Sequence, residues 1–107
     1  MSDLRYVVLH HTGIDDPHYD LLFQWPDRPS LGSVRCSEWP PNTATTFERI
    51  ADHRALYLDY EGSLTQDRGT VQRVEAGVCT LDTTGHAGLL LTLSTGLQIR
   101  IPSIPGR

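Results

Sequence analysis

Residues 10–20, HHTGIDDPHYD, place three histidines and three aspartates within eleven positions. Imidazole nitrogens and carboxylate oxygens are donors for divalent transition ions, and a histidine is the side chain that changes charge near neutral pH. In an extended chain alternate residues share a face, so His18 and Asp20 of HYD project together while Tyr19 points away. If YVVLHH is the neighbouring strand and TGIDDP the connection, with Gly13 and Pro17 as its turn residues, His10 or His11 returns beside that pair. Two imidazoles and one carboxylate on adjacent strands form a facial set of ligands with open positions opposite, suited to a catalytic Mn2+, Zn2+ or Fe2+. The plain alternative is a solvated Asp15–Asp16 loop next to a histidine hydrogen-bonded to Asp20. A regular strand can turn only one of His10 and His11 toward such a site.

A second cluster, DHRALYLDYEG at residues 52–62, brings His53, Arg54, Tyr57, Asp59, Tyr60 and Glu61 close together. On a strand His53, Ala55 and Tyr57 share a parity, so an imidazole and a phenol reach one pocket. A protonated histidine and a tyrosine hydroxyl both donate to phosphate oxygens, and histidine serves as a general acid near neutral pH. His86, isolated in TTGHAG, reads as a surface histidine. Cys36 and Cys79 lack the paired spacing of a zinc motif or disulfide framework and read as small core residues.

The elements that must carry these residues are short. Nine glycines and seven prolines interrupt runs rich in Val, Leu, Ile, Thr and Tyr, the rhythm of an all-β chain. Strands are expected near Leu4 to His11, His18 to Trp25, Leu31 to Ser37, Thr46 to His53, Ala55 to Tyr60, Gly69 to Glu75, Val78 to Asp82, Gly88 to Ser94 and Leu97 to Ile101. Glycines in EAGV (Glu75 to Val78) and STGL (Ser94 to Leu97) predict tight turns. PPNTATTFERIADHR is the best helix candidate, with Asn42 or Thr43 as cap, but its period is undecided and a strand from Thr46 is favoured. Eight or so short antiparallel strands with little helix must bury a face and manage their edges, which means a sandwich or a barrel; one small closed or partly closed β-barrel spanning residues 1–107 is favoured.

Composition narrows the partners. A formal net charge of −4 leaves no broad basic surface for non-specific duplex binding. No signal peptide and no apolar run of about 18 residues is visible, so a cytoplasmic monomer without membrane contact is expected.

Taken in order, HYD, DHRALYLDYEG and RGTV (Arg68 to Val71) resemble the 3′-phosphoesterase domain of bacterial DNA ligase D, where the corresponding segments read approximately HYDFRLE, DHPLDYADFEG and GAGTV. The resemblance runs from about Tyr6 to Thr80. It implies a small β-barrel that binds Mn2+ and trims a 3′-phosphate or ribonucleotide from DNA ends during break repair by end joining, with a separate ligase or polymerase as partner. It puts the metal ligands on His11, His18 and Asp20, with His11 preferred to His10, and the phosphate-contacting pair on His53 and Tyr57. The chain departs from the family at Leu22, where an arginine is expected, at Thr45, where a basic residue is expected, and at the acidic Asp15 and Asp16. With the first strand starting almost at Met1, no counterpart of the family's N-terminal arm is expected, and the domain is expected to stand alone rather than fused to ligase and polymerase modules. Arg54 and Arg68 are candidates to replace the lost phosphate contacts. Two other readings stay open: a catalytically degenerate barrel acting as a DNA-end or protein-docking module, and a metal-dependent hydrolase or oxygenase acting on a small molecule.

Overall fold

In the computed structural model, residues 4–66, 68–83 and 88–101 are described. His86 lies outside them. The chain forms β1 (Leu4–Thr12), β2 (His18–Gln24), β3 (Leu31–Cys36), β4 (Glu48–His53), a short 3-10 turn (Ala55–Leu58), β5 (Gly62–Ser63), β6 (Thr70–Asp82), β7 (Leu89–Leu93) and β8 (Gln98–Ile101). All pairings are antiparallel, in the order β4-β3-β2-β1-β6-β7-β8, with β5 added beside the start of β6. The sheet curls into a partly closed barrel of the expected all-β class. No helix among the described residues is long and apolar enough to cross a membrane.

Strand alternation divides the apolar residues between two faces. Tyr6, Val8, Leu21, Phe23, Val34, Leu91 and Ile99 pack into the larger core. Their neighbours Val7, Leu9, Leu22, Leu31 and Val71 form a second cluster on the opposite face, closed by Leu58 of the 3-10 turn. Complete burial of such side chains stabilises by about 1.5–3 kcal/mol each before conformational entropy is subtracted. Close packing fixes Gly32, because a Cβ there would lie 2.2 Å from the Phe23 ring. Cys36 and Cys79 are free and buried, as expected of core residues.

Three expectations are corrected. The EAGV turn does not form; β6 runs unbroken through Gly77, where an added Cβ would sit 2.9 Å from Ser94 Oγ and 3.0 Å from Tyr6 Cε1. That glycine serves close packing rather than reversal of the chain. A long β6 is possible because β1 pairs with nearly its whole length, absorbing the extra residue Val74 in a bulge between the Val8–Glu75 and Leu9–Arg73 pairs. The expected strand at Ala55 to Tyr60 is instead the 3-10 turn, whose Leu58 gains burial in the second core. The strand expected from Thr46 begins at Glu48, and Asn42 caps a single turn before it, its Oδ1 accepting from Ala44 N at 2.8 Å. The STGL hairpin does form, with Gly96 at φ 99° and its N–H donating to the Leu93 carbonyl at 2.9 Å.

Candidate metal centre

The β1–β2 register builds the site. Leu9 lies opposite Asp20, His10 opposite Tyr19 and His11 opposite His18, so His11, His18 and Asp20 share the face of the second core. His10 belongs to the other face, stacked on Tyr19 with ring centroids 4.3 Å apart. His11, rather than His10, is therefore the histidine brought to the pair. One donor atom from each of His11, His18 and Asp20 lies within 4.8 Å of the others, and the group could hold a metal ion.

Backbone carbonyls orient both imidazoles. His11 Nε2 donates to the Arg68 carbonyl at 2.6 Å, and His18 Nδ1 donates to the Asp16 carbonyl at 2.9 Å. A carbonyl only accepts, so these nitrogens carry the hydrogens and the other nitrogen of each neutral ring keeps its lone pair. His18 Nε2 is buried without a hydrogen-bond partner among the described residues and lies 3.4 Å from Asp20 Oδ2. In the neutral tautomer a lone pair faces a carboxylate oxygen in a buried place, an opposition that a cation held between them relieves, and His11 adds a third donor on the same side. The donor set thus fits a divalent ion. The carboxylates of Asp15 and Asp16 take no part in the group; both residues are exposed, and Asp16 acts through its carbonyl.

Turn geometry holds the His11 contact in place. Gly69 follows the Arg68 carbonyl at φ 89°, and a Cβ there would meet the Thr12 carbonyl at 2.2 Å and His11 Nε2 at 3.2 Å. Only glycine lets the entry to β6 pass this close to β1.

The second cluster reaches the same cleft by a different route from strand alternation. A register shift between β3 and β4 places His53 opposite Leu31 and Ile50 opposite Ser33, so β4 carries one extra residue. Asp52 accepts from the Trp25 indole at 2.9 Å, and its neighbour His53 also lines the cleft. The 3-10 turn then brings Tyr57 back over His53, ring centroids 5.8 Å apart and nearly perpendicular. His53 Nδ1 and Ser33 Oγ are 2.7 Å apart, and Ser33 Oγ donates to the Leu31 carbonyl. That assigns the imidazole hydrogen to Nδ1 and leaves Nε2 as acceptor. Burial pushes the His53 pKa below its ordinary value of 6.5, against the opposing pull of Asp20.

A cleft of about 410 Å³ collects His11, Asp20, His53, Arg54, Tyr57 and Arg68. His18 completes the ligand group beside it. Arg68 is turned partly aside, its Nε and Nη2 donating to the Thr65 carbonyl and hydroxyl at 3.0 Å each. Leu22 is fully buried in the second core, and Thr45 Oγ1 accepts from Asn42 N, so neither offers the cleft a charge.

Sequence reasoning missed Arg35. It lies directly opposite Asp20 on β3, and its Nε donates to Asp20 Oδ1 at 3.1 Å. The signal was the alternation of LGSVRC, which puts Leu31, Ser33 and Arg35 on the face of the second core. Fold and site together define a partly closed β-barrel with a His-His-Asp group beside an arginine-lined cleft. Comparison with known proteins gives no matching family model and no matching curated sequence.

Proposed function

We propose that the chain is a metal-dependent phosphoesterase acting on 3′-phosphate ends of nucleic acid, with Mn2+ as the preferred ion and Zn2+ as the alternative. The observation that carries this reading is the partnerless, buried Nε2 of His18 aimed at Asp20 beside a cleft that contains Arg35, Arg54, His53 and Tyr57. The cleft volume of about 410 Å³ lies within the range that encloses a small ligand, and accommodates a terminal phosphate with its nucleoside better than a duplex.

His11, His18 and Asp20 would hold the ion, which when bound supplies Lewis-acid polarisation of a phosphate oxygen. Hydrolysis joins a water oxygen to phosphorus and breaks the bond to the 3′ oxygen; water gives up one proton and the leaving oxygen takes one. His53 is neutral near pH 7 and its free Nε2 accepts a proton, while Ser33 fixes the ring. The Tyr57 hydroxyl donates to a non-bridging or departing oxygen. Arg54 contributes charge at the rim.

A primer-template carrying a 3′-phosphate, incubated with Mn2+, with Zn2+ and with chelator, tests the reading. Phosphate release that needs the ion and is lost in His18→Ala and Asp20→Ala proteins of unchanged circular dichroism is the expected outcome. Activity retained in either variant would sink the proposal. A second reading, a barrel that binds ends without cutting, is favoured by the buried Leu22 and by Arg68 bonded back onto Thr65. Binding of the oligonucleotide without turnover would select it.

A further inference from the structure

We propose that Arg35 is the residue of the cleft that grips the substrate phosphate, gripping it from β3 where Leu22 of β2 cannot. This rests on the reading of the cleft as a phosphate site. Asp20 is almost fully buried, its side chain 5% exposed, whereas Arg35 is 39% exposed and spans from that carboxylate into open space. Its guanidinium makes one hydrogen bond among the described residues, from Nε to Asp20 Oδ1. Nη1 and Nη2 are thus left as a parallel pair of donors, the fork that matches two oxygens of a phosphate. Arg35 lines both the main cleft, with Asp20, and a smaller one, with His18, so its side chain borders both beside the ligand group.

The other cleft arginines are less well placed for this task. Arg68 spends Nε and Nη2 on Thr65, and Arg54 is exposed at the start of the 3-10 turn with no side-chain hydrogen bond or ion pair among the described residues to fix it. Arg35 alone is anchored by a buried carboxylate, so little rotamer freedom is lost when it closes on an oxyanion. Ion and arginine would then act on the same phosphate from adjacent strands, with Asp20 touching both.

The test separates gripping from mere support of Asp20. Inorganic phosphate is titrated calorimetrically into the protein with and without Mn2+, and Mn2+ is titrated into phosphate-free protein, for wild type, Arg35→Met and Arg35→Lys. Loss of one charge-assisted fork should weaken phosphate binding by about ten- to hundredfold in Arg35→Met. Arg35→Lys, which keeps the charge and loses the fork, should fall between the two and serves if the methionine variant does not fold. Mn2+ should bind the variants at least as tightly as wild type, because a cation beside Asp20 has been removed or made more mobile. Unchanged phosphate affinity, a loss of Mn2+ affinity that accounts for the whole effect, or a wild type that binds no phosphate under either condition would overturn the proposal. A wild type that binds phosphate through Arg35 yet leaves the 3′-phosphate primer intact would remove the phosphoesterase reading and uphold this one.

Discussion

At Asp20 three demands meet: the Arg35 guanidinium at 3.1 Å, the His18 lone pair at 3.4 Å and near-complete burial. Arg35 satisfies one oxygen and leaves Oδ2 facing an acceptor. Asp20→Asn, with its amide turned toward His18 Nε2, replaces that opposition with a hydrogen bond while Oδ1 still accepts from Arg35. The variant should therefore keep its metal-free stability to within about 1 kcal/mol in urea unfolding with chelator. Its Mn2+ affinity should fall by more than about tenfold, since a charged ligand has been lost. A large loss of metal-free stability would show instead that the Asp20 charge serves the fold. His53 carries a second prediction. Burial lowers its pKa, so below its ordinary value of 6.5 the unfolded chain binds a proton that the folded protein resists. That part of the stability is complete above the unfolded value and is lost as pH falls through the folded one. Urea midpoints measured at about pH 7.5 and about pH 5.5 should drop more in wild type than in His53→Gln, which cannot titrate.

Among the elements, the entry to β6 matters most to the site. Gly69 lets the Arg68 carbonyl reach His11, and Ala at that position would drive a Cβ into the Thr12 carbonyl at a backbone angle that side chains disfavour. Gly69→Ala should destabilise the protein by about 1–3 kcal/mol. It should also weaken Mn2+ binding by about tenfold or more, through a misdirected His11 rather than a lost ligand. Calorimetry with Mn2+ on protein shown to be folded checks both. The irregularity of β4 also matters to the site: with one extra residue on β4, His53 lies opposite Leu31 and lines the cleft, while Asp52 holds the Trp25 indole.

For the molecule as a whole, the ion should act as a stabilising ligand. Binding confined to the folded state adds about 2.7 kcal/mol at a hundred times Kd, which for a domain of this size raises Tm by about 10 °C. Thermal unfolding with Mn2+, with chelator and in His18→Ala should show that rise, its reversal and its absence. The charge distribution fits an anionic ligand as well. All nine basic residues are arginines, and Arg35, Arg54 and Arg68 line the main cleft, in a chain whose formal net charge is −4. On the proposed reading, attraction for phosphate would be local, and the acidic balance of the rest of the chain would discourage a long duplex from settling on it.

Alternation in HYD and in YVVLHH already assigned His18 and Asp20 to one face, and the short apolar runs already favoured a small closed or partly closed barrel of about eight strands over a sandwich. Those features depend on period and composition, which neighbours along the chain decide. The choice of His11 over His10 followed, at the level of the residues alone, only once the β1–β2 register set His11 opposite His18. Gly77 read as a turn because a sequence cannot show Tyr6 and Ser94 pressing on it, and Ala55 to Leu58 read as a strand because the space filled by Leu58 lies between distant elements. Arg35 stayed hidden for the same reason. Its spacing marked its face, but only the pairing of β3 with β2 put a guanidinium beside Asp20, fifteen residues away in the chain.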